Sequence, residues 1–197
     1  MKIIGITGGI GAGKSTILNI LQEEHGAYIL EADRIAHRLM EPGQSAYQKI
    51  VSRFTDRILA PDGTIDRKKM AETVFSDPVQ LEELNGIVHP EVKHAILSVI
   101  EEERRQGRIK ILVIEAALLI EDGYKEICDE MWYVYTSQEV RIRRLMNSRE
   151  YSREKCEAVM RQQSSEAFYR GNCDAVIENN GDLTETREQI THLLKNL

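Results

Sequence analysis

The chain has 197 residues, 42% of them hydrophobic and 29% charged, with a formal net charge of −6. That length gives one domain a sizeable core, and the composition is that of an ordinary soluble globular protein. The acidic balance argues against a general nucleic-acid binder, and no apolar run approaches the roughly 20 residues that span a bilayer.

The first expected strand is IIGIT, residues 3–7, which runs into GGIGAGKS. Ile17, Leu18 and Leu21 then mark the apolar face of a helix beginning near Lys14. AYIL (27–30) predicts a second strand, followed by a helix over 34–40. From 34 to 108 the pattern is mostly helical, interrupted at ILAPDGTID (58–66), where Pro61, Asp62 and Gly63 supply turn chemistry between short extended pieces. In PEVKHAILSVIEEERRQG, residues Val92, Ala95, Ile96, Val99 and Ile100 repeat at helical spacing, with Pro90 suited to the first turn and Gly107 to the stop. IKILVIE (109–115) and MWYVYT (131–136) read as buried strands, and AVIE (175–178) as a weaker fifth. Each strand is expected to lead into a helix. The last helix carries a stripe of Leu183, Ile190, Leu193, Leu194 and Leu197, with Asp182 as its N-cap.

Alternating strands and helices predict right-handed βαβ units and a parallel sheet covered on both faces, an α/β fold. The 34–108 span, placed where such a sheet opens, is either a substrate-binding lobe or added helices on one face. Cys128, Cys156 and Cys173 are scattered, which fits reduced thiols rather than a disulfide framework, and no Cys–His grouping suggests a zinc site. Residues 1–15 lack the layout of a cleavable leader, so a cytoplasmic protein is expected.

Residues 8–15 match G-x-x-x-x-G-K-[ST] in full. A loop without side chains lets successive backbone N–H groups point at phosphate oxygens, and the following helix adds its positive end. Lys14 supplies a cation for the β- and γ-phosphates, and the Ser15 hydroxyl can complete a Mg²⁺ shell. A glycine-rich turn with a chance lysine is the plainer alternative, but a strand before and a helix after are what the motif demands. The chain has neither the D-x-x-G switch nor the N-K-x-D reader of a regulatory GTPase, and no L-S-G-G-Q. What remains is the layout of a small-molecule kinase.

Asp33 sits just past the second strand, on the edge where open α/β sheets bind ligands. It is a candidate base for an attacking hydroxyl, or simply the N-cap of the helix over 34–40. Arg141, Arg143, Arg144 and Arg149 make a local positive field in an acidic chain. They form either a lid over transferring phosphate or a solvated face paired with Glu139, Glu150 or Glu154. Glu115 ends the third strand, as an acid reaching Mg²⁺ through water or as a core-edge partner of a lysine.

The sequence resembles the dephospho-CoA kinases over essentially its whole length. The resemblance runs through GITGGIGAGKST, EADRIAHRLM, ILAPDGTIDRKKMAETVF, LNGIVHPEV, ALLIEDG, the arginine segment ending at Gln163, and CDAVIENNGDL. It implies a single P-loop kinase domain over 1–197, a three-layer α/β/α fold with a five-stranded parallel sheet. The core would cover about 1–33 and 109–197, a helical acceptor-binding lobe about 34–108, and a lid about 137–165. The implied reaction is MgATP-dependent phosphorylation of the ribose 3′-hydroxyl of 3′-dephospho-CoA, giving CoA and ADP.

By the same resemblance, Gly11, Ala12, Gly13, Lys14, Ser15 and Thr16 bind ATP phosphates, with Ser15 toward Mg²⁺. Asp33 is the catalytic base, and Thr7, His89, Leu118 and Glu121 line or support the acceptor pocket. Arg144 belongs to the lid, while Asn179, Asn180 and Gly181 border the nucleotide base. His89 by itself reads as an extended residue fixed by the following proline. The implied partners are ATP and 3′-dephospho-CoA, without nucleic acid or membrane, in a monomer or small homo-oligomer. The chain departs from the family pattern at Ala117 and Ile120, where a proline and an aromatic are usual, at Glu115 for Asp, and at Ser148, which leaves Arg149 one residue late.

Overall fold

The computed structural model describes residues 1–195 and 197, with Phe75 described by its backbone alone. The chain forms two compact units, one from Met1–Leu30 with Gly107–Leu197 and one from Glu31–Gln106.

The first unit is built on β1 (Lys2–Thr7), β2 (Tyr28–Glu31), β3 (Ile111–Glu115), β4 (Glu130–Tyr135) and β5 (Ala175–Glu178). These strands form a five-stranded parallel sheet in the order β2-β3-β1-β4-β5. Strand alternation sends Ile4, Ile6, Val113, Trp132, Val134 and Ile177 to one face. There they meet Ile17, Leu18 and Leu21 of α1 (Lys14–His25) and Ile190 of α9 (Leu183–Lys195). Each fully buried isoleucine in this layer contributes roughly 1.5–3 kcal/mol. Trp132 is buried without loss because its indole N–H donates to the Glu130 carboxylate at 2.7 Å.

On the opposite face Tyr133 stacks on Tyr169 of α8 (Glu166–Asn172), with ring centroids 4.8 Å apart. Leu119, Met131 and Cys128 crowd against Gly5 there. Both faces are therefore covered, as a parallel sheet requires. The unit also holds α6 (Gln138–Arg149) and α7 (Arg153–Arg161).

The second unit contains α2 (Ala32–Leu39), α3 (Ser45–Phe54), α4 (Arg67–Phe75) and α5 (Pro78–Gln106). Its own core is formed by Ala46, Ile50, Phe54, Ile58, Met70 and Val74. The expected turn is a tight hairpin. Leu59 bridges Ile65, Gly63 takes a φ of +82°, and Asp62 accepts the Thr64 N–H at 3.0 Å. Asp66 then caps α4 by accepting from the N–H groups of Lys68 and Lys69.

Five local expectations need correction. Pro90 does not open a helix: α5 begins at Pro78, with Asp77 accepting from the Val79 N–H, and runs through Pro90. His89 is accordingly helical, not extended. The proline ring opposes the carbonyl four residues earlier, and that residue is Gly86, whose peptide can tilt freely. Asp33 is not an N-cap, because α2 starts one residue before it. Leu183 is 44% exposed at the first position of α9, and Thr186 is buried in its stead. Between β3 and β4 the expected helix is replaced by turns and a short 3₁₀ stretch, Tyr124–Glu126, after Gly123 takes a φ of +71°.

Candidate active site

The glycine-rich loop leaves the carboxyl end of β1, the middle strand, where an open parallel sheet presents its ligand edge. Gly13 precedes α1 with a φ of +91°, and a side chain there would also collide with the amide of Asn179. The first turn of α1 brings Lys14, Ser15 and Thr16 together, with their N–H groups at the positive end of the helix. Lys14 Nζ donates to the Gly8 carbonyl at 2.9 Å and lies 3.3 Å from the Glu115 carboxylate at the end of β3. The core-edge pairing of Glu115 with a lysine is thus what the structure holds.

The loop is braced from outside by long-range bonds. Arg141 Nε donates to the Ile10 carbonyl at 2.8 Å, and its Nη2 reaches Gln163 Oε1 at 2.5 Å. The same Gln163 oxygen accepts the Ile10 N–H at 3.2 Å, so both polar groups of Ile10 are held. A Cβ on Gly9 would overlap the Arg141 guanidinium, so only glycine leaves room for the clamp.

Two residues on, the Ala12 carbonyl accepts from Asn179 Nδ2 at 2.8 Å, Thr136 Oγ1 at 2.9 Å and Arg144 Nη1 at 3.2 Å. Arg144 Nη2 also donates to the Asn179 carbonyl at 2.8 Å. Because the peptide group is planar and trans, each carbonyl held outward turns the next N–H, of Gly11 and of Gly13, the other way. Burial pulls the pKa of Arg141 and of Arg144 below the ordinary value, yet a guanidinium stays charged. These arginines bond to loop carbonyls. It is Arg153 that pairs with Glu139, at 2.7 Å.

The remaining expected residues are placed as follows. Asn180 accepts the Ser137 N–H at 2.7 Å and thereby ties the β5 loop to the start of α6. Thr7 is wholly buried at the end of β1, and its hydroxyl has no hydrogen-bond partner among the described residues. Leu118 is 45% exposed in the turn after β3, and Glu121 accepts from the Ser164 hydroxyl at 2.8 Å. Asp33 is exposed at the second position of α2, and His89 lies in α5, both in the second unit. The structure therefore gathers Ala12, Gly13, Lys14, Arg144 and Asn180 around one loop. Thr136 and the bracing roles of Gln163 and Asn179 escaped the sequence reading, being 124, 153 and 167 residues from their loop partners.

Among the described residues no group of three His, Cys, Asp or Glu side chains is placed to hold a metal ion. The Ser15 hydroxyl and the Glu115 carboxylate are nevertheless hard oxygen donors of the kind Mg²⁺ takes alongside phosphate and water. The arrangement is chemically suited to gripping a polyphosphate by backbone amides and one ammonium group.

Comparison with known proteins agrees with that chemistry. The family model described as dephospho-CoA kinase matches residues 2–185. A dephospho-CoA kinase of Carboxydothermus hydrogenoformans is 42% identical over 195 residues, covering 99% of this chain and 94% of the relative. A crystal structure from Thermus thermophilus is 34% identical, with a TM-score of 0.82 over 100% of this chain and 97% of the other. The dephospho-CoA kinase structure from Campylobacter jejuni is 25% identical, with a TM-score of 0.72 and coverage of 100% and 97%. On a match that spans nearly the whole sequence, the chain belongs to the dephospho-CoA kinase family.

Proposed function

We propose that this kinase moves the γ-phosphoryl group of ATP to the ribose 3′-hydroxyl of 3′-dephospho-CoA, yielding CoA and ADP. Its carrying observation is the braced phosphate loop: a cradle with its outward carbonyls pinned by Arg141 and Asn179 and its lysine bonded to the loop itself. A preorganised donor array does not have to reorganise as charge develops, which is where most electrostatic catalysis arises.

In this reading the N–H groups of residues 11–16 and the Lys14 ammonium hold the β- and γ-phosphates. Arg144 has five N–H donors and commits some to the Ala12 and Asn179 carbonyls, leaving others for the nucleotide. Asp33 orients the ribose hydroxyl and accepts its proton, with Thr7, His89, Leu118 and Glu121 supporting the acceptor and Asn180 the base. Bound Mg²⁺, held through Ser15 and with Glu115 nearby, would neutralise phosphate charge. Segment 137–165 serves as a lid that excludes water, and 34–108 as the acceptor lobe. The reading also takes the protein as cytoplasmic and as a monomer or small homo-oligomer. Among the described residues no helix is long and apolar enough to cross a membrane.

The test is ADP release with MgATP, in the presence and absence of dephospho-CoA, together with mass detection of the product. Acceptor-dependent ADP release with formation of CoA is expected. ATP binding without acceptor-dependent turnover would reduce the protein to a nucleotide-binding module.

A further inference from the structure

At the surface of this acidic chain, arginines sit against carboxylates: Arg53 against Glu83, Arg153 against Glu139 and Arg170 against Glu166. The guanidinium of Arg141 is different. It is half-buried, and among the described residues no carboxylate pairs with it. The side chains close enough to act on its charge are those of Tyr133 and Tyr169, both uncharged rings. Taking a charge out of water is costly unless an opposite charge meets it. A half-buried guanidinium without a carboxylate is therefore suited to an anion that arrives from solution.

Its position says which part of a nucleotide that anion would be. A Cβ on Gly9 would come within 2.6 Å of Arg141 Cζ, so the guanidinium lies directly over that residue. Lys14 Nζ donates to the carbonyl of the preceding residue, Gly8. Neighbouring Cα atoms are about 3.8 Å apart, so the ammonium and the guanidinium border the same short stretch of loop. Arg144 stands further along, on the Ala12 and Asn179 carbonyls. Of the N–H donors of Arg141, Nε serves the Ile10 carbonyl and Nη2 the Gln163 side chain, and Nη1 serves neither. Arg149 is exposed at the end of α6, and Ser148, where the chain departs from the family pattern, donates its hydroxyl to the Arg144 carbonyl.

We propose that Arg141 is a catalytic residue whose free guanidinium edge contacts the phosphoryl group in transfer, beside Lys14. The inference rests on the kinase reading and adds the side chain that meets the γ-phosphate. In that reaction the ribose oxygen bonds to the γ-phosphorus and gives its proton to the base. The bond from phosphorus to the β,γ-bridging oxygen breaks, and its electron pair stays with ADP. Negative charge spread over the peripheral phosphoryl oxygens is what a fixed cation stabilises. The bonds to Ile10 and Gln163 fix this one, so the same side chain braces the loop and serves the chemistry.

The experiment separates the two roles. Calorimetry measures binding of the magnesium complexes of ADP and of adenosine 5′-(β,γ-imido)triphosphate to wild type, Arg141→Met, Arg141→Gln, Arg141→Lys and Gln163→Met. Turnover is measured at saturating ATP and dephospho-CoA, and circular dichroism and Tm follow folding. Gln163→Met removes a brace and keeps the guanidinium, so it should weaken both nucleotides by the same factor. Arg141→Met and Arg141→Gln should weaken the triphosphate about 10- to 100-fold more than ADP, as expected for one lost charge-assisted hydrogen bond. They should also lower kcat by roughly 10²–10³-fold, the range for one preorganised donor. Arg141→Lys keeps the charge without the planar fork and should recover part of both losses. A triphosphate-to-ADP affinity ratio within about twofold of wild type in the folded neutral variants makes Arg141 a brace alone and overturns the proposal, as does an unchanged kcat. Because the ratio is read without acceptor, failure of wild type to make CoA would strike the proposed function and leave this test in force.

Discussion

Arg141 and Ile10 are 131 residues apart in sequence, yet the guanidinium Nε–H of the first donates to the carbonyl of the second at 2.8 Å. With Gln163 on the Ile10 N–H, the two bonds fix the consecutive peptide planes on either side of one loop residue. A hydrogen bond involving a charged group is worth roughly 1.5–3 kcal/mol, so Arg141→Met should raise KM for ATP by about 10- to 100-fold. Gln163→Met should act in the same direction. Because the two residues bond to each other as well as to the same loop residue, the double variant should be markedly less impaired than the product of the singles. Steady-state kinetics on all four proteins measures this, and strict additivity would show that they act separately.

Gly9 tests the same clamp sterically. Gly9→Ala would displace the Arg141 guanidinium and should weaken ATP binding about as much as Arg141→Met does. Combining the two substitutions should add little, which calorimetry with MgATP can read directly.

Lys14→Ala should lower kcat/KM by roughly 10²–10³-fold, the range for loss of one preorganised electrostatic donor. The loop is shaped by backbone and by its outer braces, so the circular dichroism spectrum should not change. Turnover close to wild type would remove Lys14 from the phosphate site.

Asp33 occupies the second position of α2 and is not its cap, so Asp33→Asn should cost little stability, on the order of 0.3–1 kcal/mol through the helix dipole. If it is the base, the same change should reduce kcat by roughly 10²–10⁴-fold. A stable variant with wild-type kcat would exclude that role.

Alkaline pH should weaken the first unit. Burial raises the pKa of the Cys128 thiol from 9.0 to about 12, with Asp129 and Asp174 adding to the effect. Burial likewise raises Tyr124 and Tyr133 from 10.0 to about 12. These groups bind their protons more tightly in the folded state. Their contribution is complete below about pH 9 and is lost as pH rises through 12. Tm should therefore fall across pH 9–12, and Cys128→Ala should flatten the decline at its lower end. The same proton affinity should make Cys128 slow to react with iodoacetamide at pH 8.

What could be read from the sequence was what lies close along the chain. Residues 8–15 form the loop from contiguous chemistry, and the five strands announce themselves as short apolar runs. The Asp62–Gly63 turn and the Asp182 cap are equally local. Arg141, Thr136, Gln163 and Asn179 meet the loop only after the sheet has assembled, so no spacing rule connects them to it. Pro90 misled because proline usually opens helices, whereas Gly86 one turn earlier lets this one continue. The helix start is marked locally by Asp77 before Pro78, where the Asp77 carboxylate accepts the Val79 N–H.

A carbonyl oxygen has two lone pairs, and three donors converge on that of Ala12. One contact is always in surplus. Loss of the Arg144 bond alone would consequently leave the peptide oriented by Thr136 and Asn179, both neutral and both in loops that follow strands of the sheet. The cradle's shape is thereby independent of the one charged holder in that small cluster of atoms.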